Sequence, residues 1–359
     1  MRSNVLIIVL IFSLYACSSD NSYNEPQFIE EHEITGKCLS DDLMISYAYD
    51  MAVDSRYVYI LALSEGKWLH VYDKHDGRYL GSNVHAGQGP GEIHTALSLM
   101  VDGDNLQIYD QSQKKLFNYS VNNEDDSLQV SFVDDVNFSS CSGIVRRAWD
   151  LGGQYLVDGQ LGVEKTGQKR FQLYDGNSVV SQYNDFPVEN GDMKKAFLSP
   201  NVCFSPSKNK MATGTLYGGV LETFDLSSTS ILLSGVYRFY EPLVSFKAGE
   251  LVPATDMKYG FSAMCATDDV IYSVLIGDSD PNNLYNISIF DWNGNGLARY
   301  KTDKQIFKLS CYSGTPSELY ALTYSRSEGF SLYFYRIISV PLKSGQININ
   351  QTIPEKGKN

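Results

Sequence analysis

Leu69-His70-Val71-Tyr72-Asp73, Leu116-Phe117-Asn118-Tyr119 and Phe171-Gln172-Leu173-Tyr174-Asp175-Gly176 are copies of one phrase: apolar, any residue, apolar, aromatic, usually followed by Asp and a turn residue. Three more copies follow, Leu221-Glu222-Thr223-Phe224-Asp225, Ile287-Ser288-Ile289-Phe290-Asp291 and Leu332-Tyr333-Phe334-Tyr335. Apolar side chains recur at every second position, which is strand periodicity and not helix. The anchoring aromatics Tyr72, Tyr119, Tyr174, Phe224, Phe290 and Tyr335 are 47, 55, 50, 66 and 45 residues apart. That period suits a four-stranded propeller blade better than a hairpin or a helical repeat.

A second phrase lies upstream of most copies: a short strand, a polar turn, then a β-rich strand. It is clear at Ala52-Val53-Asp54-Ser55-Arg56-Tyr57-Val58-Tyr59-Ile60, at Met100-Val101-Asp102-Gly103-Asp104-Asn105-Leu106-Gln107-Ile108-Tyr109 and at Ala266-Thr267-Asp268-Asp269-Val270-Ile271-Tyr272. Around Gly152-Gly153-Gln154-Tyr155-Leu156-Val157 the fit is looser. The expected fold is all-β, a six-bladed β-propeller of four-stranded antiparallel blades over residues 28–359. Propellers usually close by pairing the two ends of the chain in one blade, and the candidates are Gln27 to Thr35 and Gln346 to Ile353. The alternative is two packed β-sandwiches of about three repeats each, which the even spacing across residue 200 disfavours.

The amino terminus carries an address. Met1-Arg2, the apolar run Val5 to Phe12 and Ala16 before Cys17 form the three zones of a signal peptide, residues 1–16. The apolar run is far short of the roughly 20 residues a spanning helix needs. Leu14-Tyr15-Ala16-Cys17 resembles the bacterial lipobox, with Tyr15 bulkier than the usual occupant. The resemblance implies that Cys17 is lipidated and anchors the chain to a membrane, and Ser18 after it points to the outer membrane. Residues 17–27 are polar and without periodicity, the composition of a flexible tether.

Charge bears on partners. With 29 basic against 42 acidic residues the net charge is −13, so binding to a phosphate backbone is electrostatically opposed and no nucleic-acid partner is expected. Five cysteines remain after Cys17 (Cys38, Cys141, Cys203, Cys265 and Cys311), so at least one is unpaired in an oxidising compartment, and no CxxC spacing is present. Cys203, Cys265 and Cys311 fall just before the first turn of successive repeats, where the first two repeats have Ala52 and Met100. They read as free thiols at small, buried inner-strand positions.

Gly87-Gln88-Gly89-Pro90-Gly91-Glu92 is the most distinctive short motif. It resembles the G-x-G-P-G-E signature that follows the first blade in TolB-like six-bladed β-propeller lipoproteins of Bacteroides and its relatives. The lipobox, the length, the six aromatic phrases and the position of the motif after a YDxxxG strand agree with that resemblance, which implies a fold more than a function. In physical terms Gly87, Gly89 and Gly91 permit positive φ or close backbone approach and Pro90 stiffens a bend. Glu92 either caps amides of the bend or faces the central channel. No GK[ST] follows, as a phosphate loop requires.

Candidate chemistry is sparse. His85 and His94 flank the glycine motif and, with Glu92, are candidate ligand-binding residues at a channel mouth. Asp291, Asn293 and Asn295 match the first half of a calcium loop, but Thr302 stands where its bidentate Glu belongs, so no metal site and no cofactor are expected. Asp126-Ser127-Leu128 resembles an O-glycosylation acceptor of Bacteroides. Catalytic residues are not identifiable, because a propeller enzyme draws them from different blades. The leading reading is a lipid-anchored envelope propeller that binds a protein or glycan. The alternative is an envelope hydrolase or lyase acting on a sugar or lactone at the channel.

Overall fold

A computed structural model describes residues 22–124, 127–161, 169–338 and 340. The proposed signal peptide, Cys17, Asp126 of the Asp126-Ser127-Leu128 motif and the segment 346–353 lie outside the described residues.

The chain enters through β1 (Phe28–Ile34) and β2 (Lys37–Leu43) and then lays down its blades in order. Blade one is β3 (Asp50–Val53), β4 (Tyr57–Ser64), β5 (Lys67–Asp73) and β6 (Tyr79–His85). Blade two is β7 (Ala96–Asp102), β8 (Asn105–Asp110), β9 (Lys115–Glu124) and β10 (Ser127–Asn137). Blade three is β11 (Gly143–Asp150), β12 (Tyr155–Leu161), β13 (Lys169–Tyr174) and β14 (Val179–Tyr183). A short helix, α1 (Gly191–Lys194), precedes blade four, which is β15 (Asn201–Phe204), β16 (Lys210–Gly214), β17 (Gly219–Ser227) and β18 (Ser230–Tyr240). A hairpin, β19 (Val244–Lys247) and β20 (Glu250–Pro253), leads to blade five: β21 (Phe261–Ala266), β22 (Val270–Leu275), β23 (Asn286–Asp291) and β24 (Gly296–Thr302). Blade six takes β25 (Ile306–Cys311), β26 (Glu318–Ser325) and β27 (Gly329–Arg336).

Each blade is an antiparallel sheet with its strands in chain order, outward from the axis. The second strand of a blade packs against neighbours on both sides, which is why β22 is buried at all six positions and β4 at its first six. The six anchoring aromatics of the sequence repeat all sit on third strands and are all buried. They join blades: Phe224 meets Phe171 at 5.7 Å and Phe290 meets Phe239 at 5.3 Å between ring centroids, distances typical of favourable aromatic pairs.

Closure differs from the sequence expectation. β2 pairs antiparallel with β27 and completes blade six, while β1 lies parallel to β24 as a fifth strand of blade five. Within the segment 27–35, Phe28–Ile34 is a strand, but it covers the outer edge of a different blade. A blade's outer edge is a row of unpaired amides and carbonyls, and β1 occupies that of β24. Phe28 is seated against Phe290 at 5.4 Å and His32 against Tyr300 at 4.9 Å. The closing segment Lys37-Cys38-Leu39-Ser40-Asp41-Asp42-Leu43 is too polar and irregular to announce itself, and its pairing breaks register twice.

The tether expectation is corrected over its second half. The Asn24 amide donates to the Arg238 carbonyl at 3.0 Å, Pro26 is buried, and Glu25 pairs with Lys258 at 3.6 Å. Between blades three and four lies a fully buried ion pair. Arg170 makes a two-pronged contact with Glu222 and donates to the Asp185 carbonyl, with its guanidinium between 5.2 and 5.8 Å from the rings of Phe171, Tyr183, Phe186 and Phe197.

Candidate binding channel

The inner strands β3, β7, β11, β15, β21 and β25 ring a channel of about 340 Å³ along the axis. Near their starts, four of them carry a β-bulge whose extra residues are Leu97, Arg146, Ser262 and Phe307. A bulge bends its strand and re-aims the next side chains. Here the residues after two bulges are Arg147 and Lys308, and both line the channel.

Their environments differ. The Arg147 guanidinium donates from Nε to Asp158 Oδ2 at 3.0 Å, reaches the same oxygen through Nη2, donates to the Pro200 carbonyl at 2.7 Å, and lies 4.9 Å from the Trp149 ring. Its charge is compensated, with Nη1 left over. Lys308 has no such partner: among the described residues its ammonium donates to no acceptor and stands 5.5 Å over the Phe307 ring. Burial lowers its pKa, against the opposing pull of the Asp50 carboxylate. Asp50 is pinned between blades, accepting from the Met51 amide through Oδ1 and the Leu99 amide through Oδ2, each at 2.9 Å. Burial raises its pKa, with Lys308 and these amides working the other way. A carboxyl group raised and an ammonium lowered inside one cavity is the signature of a site and also of a merely enclosed ion pair, so geometry must decide.

Aromatic side chains continue from that end of the channel to the surface. Tyr49 lines the channel; Tyr47, about half exposed, meets Tyr49 at 4.9 Å and Phe307 at 5.6 Å between ring centroids. Phe330 links Phe307 to the exposed Tyr324. Further along the axis Cys203, Cys265 and Cys311 face the channel from blades four, five and six, all free, with the Cys265 and Cys311 thiols in mutual contact. Burial pushes the Cys203 and Cys265 thiols up, so they stay protonated and unreactive at neutral pH.

The glycine motif joins blades one and two at this same end. Glu92 turns its carboxylate back into the bend, where Oε2 accepts from the Gly89 amide at 2.9 Å. A Cβ on Gly87 would fall 2.0 Å from that oxygen, so glycine is required for the carboxylate to fit. Gly91 has φ +71° and faces Phe132, while Pro90 is exposed. Of the two positions open to Glu92, the bend holds it and the channel does not. His85 and His94 are exposed and neither lines the channel. The motif still reaches the site: the Ile93 carbonyl accepts from Trp68 Nε1 at 2.9 Å, and Trp68 packs edge-on to Tyr49 at 5.5 Å.

Asp291, Asn293 and Asn295 form a hairpin turn. Asp291 Oδ1 accepts from the Asn293 and Asn295 amides and Oδ2 from Asn295 Nδ2, which uses the carboxylate internally. Among the described residues no group of three or more His, Cys, Asp or Glu is arranged to hold a metal ion. Asp50, Arg147, Lys308, Tyr47 and Tyr49 were not singled out from sequence. The available signal was a charge inside an apolar inner strand, Ile306-Phe307-Lys308-Leu309 and Val145-Arg146-Arg147-Ala148.

Six blades around a lined channel define a β-propeller with an axial site. The chain belongs to the TolB-like 6-blade propeller-like family, which matches residues 27–312. Among solved structures it is similar to a protein of Bacteroides fragilis named for its inferred export, at 14% identity and TM-score 0.54 over 88% of this chain and 98% of that one. A regucalcin from Agrobacterium tumefaciens, a calcium-binding protein, aligns at 14% identity and TM-score 0.47 over 87% and 98%. The first of these likenesses speaks to the fold. No curated protein matches the chain.

Proposed function

We propose that this chain is an exported binding module of the cell envelope, held to the outer membrane through lipidated Cys17, that receives a protein or glycan at the end of the channel where the inner strands begin. The observation that carries this reading is the combination of an open axial cavity, an unpartnered ammonium set by a bulge, and exposed aromatics leading to it. Cavities of a few hundred Å³ with a few convergent polar groups are where propellers and other folds take ligands. The signal peptide and the lipobox-like Cys17 supply the location. Among the described residues no helix is long and apolar enough to cross a membrane.

Affinity capture from detergent-solubilised envelopes tests the binding, with Tyr47→Ala/Lys308→Met beside the parent chain. A ligand captured by the parent and lost in the variant supports the reading, and one retained by both contradicts it. Metabolic labelling with palmitate tests the anchor, since an unlabelled mature chain contradicts lipidation and Cys17→Ala must abolish any label.

One observation favours a second reading, an envelope hydrolase or lyase acting on a sugar or lactone. Asp50 and Lys308 line the same end of the channel, a carboxyl and an amine such as acid–base chemistry uses. New reducing ends or unsaturated products that appear with the parent chain and vanish in Asp50→Asn are its expected result.

A further inference from the structure

Resting on the channel mouth as the binding site, we infer that its ligand is a saccharide bearing a carboxylate, with the acidic sugar inserted at the tip and its neighbours laid along the aromatic arc. Three features of the mouth lead there. Lys308 is half-buried on the channel wall, and its ammonium donates to no acceptor among the described residues. A charged donor held half-buried on a channel wall with no protein acceptor is placed to make a charge-assisted hydrogen bond to a bound anion. Arg147 adds an unused Nη1 on the same side, because its Nε and Nη2 are occupied by Asp158 and Pro200. Asp50 bounds the charge the site accepts: Lys308 and Arg147 share this end with Asp50 and Asp158, so the mouth has little net charge, and a ligand with one carboxylate set on Lys308 fits better than a multiply charged phosphate.

The arc sets the rest of the ligand. Tyr47 and Tyr324 are 49% and 43% exposed, and Tyr49 and Phe307 connect them to the channel. The Tyr47 and Tyr49 hydroxyls have no hydrogen-bond partner among the described residues. Ring faces that offer apolar area beside free phenol hydroxyls match a sugar, whose C–H face is apolar and whose edge is a row of hydroxyls. The channel itself is at the small end of ligand cavities, so it admits the tip of a chain and not its whole length. Asn201 and Ser262, also at this end, add uncharged polar groups to the lining.

The experiment uses the full mature chain on an array of oligosaccharides ending in uronate or sialate, with their methyl esters and neutral counterparts beside them, followed by calorimetric titration of the tightest. Acidic forms are expected to bind about ten- to a hundredfold more tightly than ester or neutral forms, the worth of one charge-assisted hydrogen bond. Lys308→Met should bring the acidic form down to the level of its ester and leave the ester unchanged. Tyr47→Ala should weaken acid and ester together. Equal binding of acid and ester, or an acid affinity untouched by Lys308→Met, overturns the inference. Absence of any acidic-saccharide binding also overturns it. If envelope capture then returns a protein lost in Tyr47→Ala/Lys308→Met, the mouth stands as a binding site with a different occupant; if neither assay depends on these residues, both readings fall.

Discussion

Glu92 and Arg170 each show how one side chain sets a local arrangement. Glu92 fills the hollow left by two glycines, so Gly87→Ala forces its carboxylate out of the bend and removes the hydrogen bond to the Gly89 amide. A loss of about 1–3 kcal/mol is expected, read as a lower midpoint in denaturant, with Glu92→Ala costing a similar amount. Arg170 and Glu222 are buried together, and Glu222→Gln leaves a guanidinium facing a neutral group inside the molecule. About 3–5 kcal/mol of stability should go, whereas replacing both with apolar residues recovers most of it. Asp110 gives the pH dependence. Burial works to raise its pKa, but hydrogen bonds from the Gln113 and His94 amides and the Ser112 and Gln113 side chains outweigh it and hold the carboxyl low. Its stabilisation is therefore complete above the unfolded value of about 3.9 and is lost as pH falls through the lower folded value. Asp110→Asn should lower the melting temperature at neutral pH, and the gap from the parent should shrink in acid.

Elements show what could be read from sequence and what could not. The six third strands were legible because each repeats an alternating phrase ending in a buried aromatic. The inner strands were legible through their polar turns, yet the bulges were not, since an extra residue such as Phe307 or Arg146 leaves no mark in a period-two pattern. That is why Lys308 and Arg147 escaped notice: which face they present follows from the bulge. His85 and His94 were conspicuous by residue type and position but lie on the surface. β2 was missed for want of alternation, although it closes the ring. Its role makes a sharp expectation. Removing residues through Ile34 strips the fifth strand from blade five together with the docked residues 24–26, and should leave a folded, less stable propeller. Removing residues through Leu43 opens blade six and should abolish cooperative thermal unfolding by circular dichroism.

At the scale of the whole molecule, the sequence suggests an acidic disc on a leash of about ten residues, and the docking of Asn24, Glu25 and Pro26 shortens it. If Cys17 is lipidated, the six residues 18–23 span at most about 20 Å, at roughly 3.3–3.6 Å each. The rim over blades four and five is then held close to the membrane. The aromatic arc lies at blades six and one, so it does not share the blades to which this strap docks. The most direct test places a photoreactive benzoylphenylalanine at Tyr47 on the mouth or at Leu232 on the outer strand of blade four, in cells carrying the full chain. Irradiation is expected to give a cross-linked species from position 47 that Lys308→Met diminishes, and none from position 232. Cross-linking at 232 with none at 47 would contradict the channel mouth as the binding site.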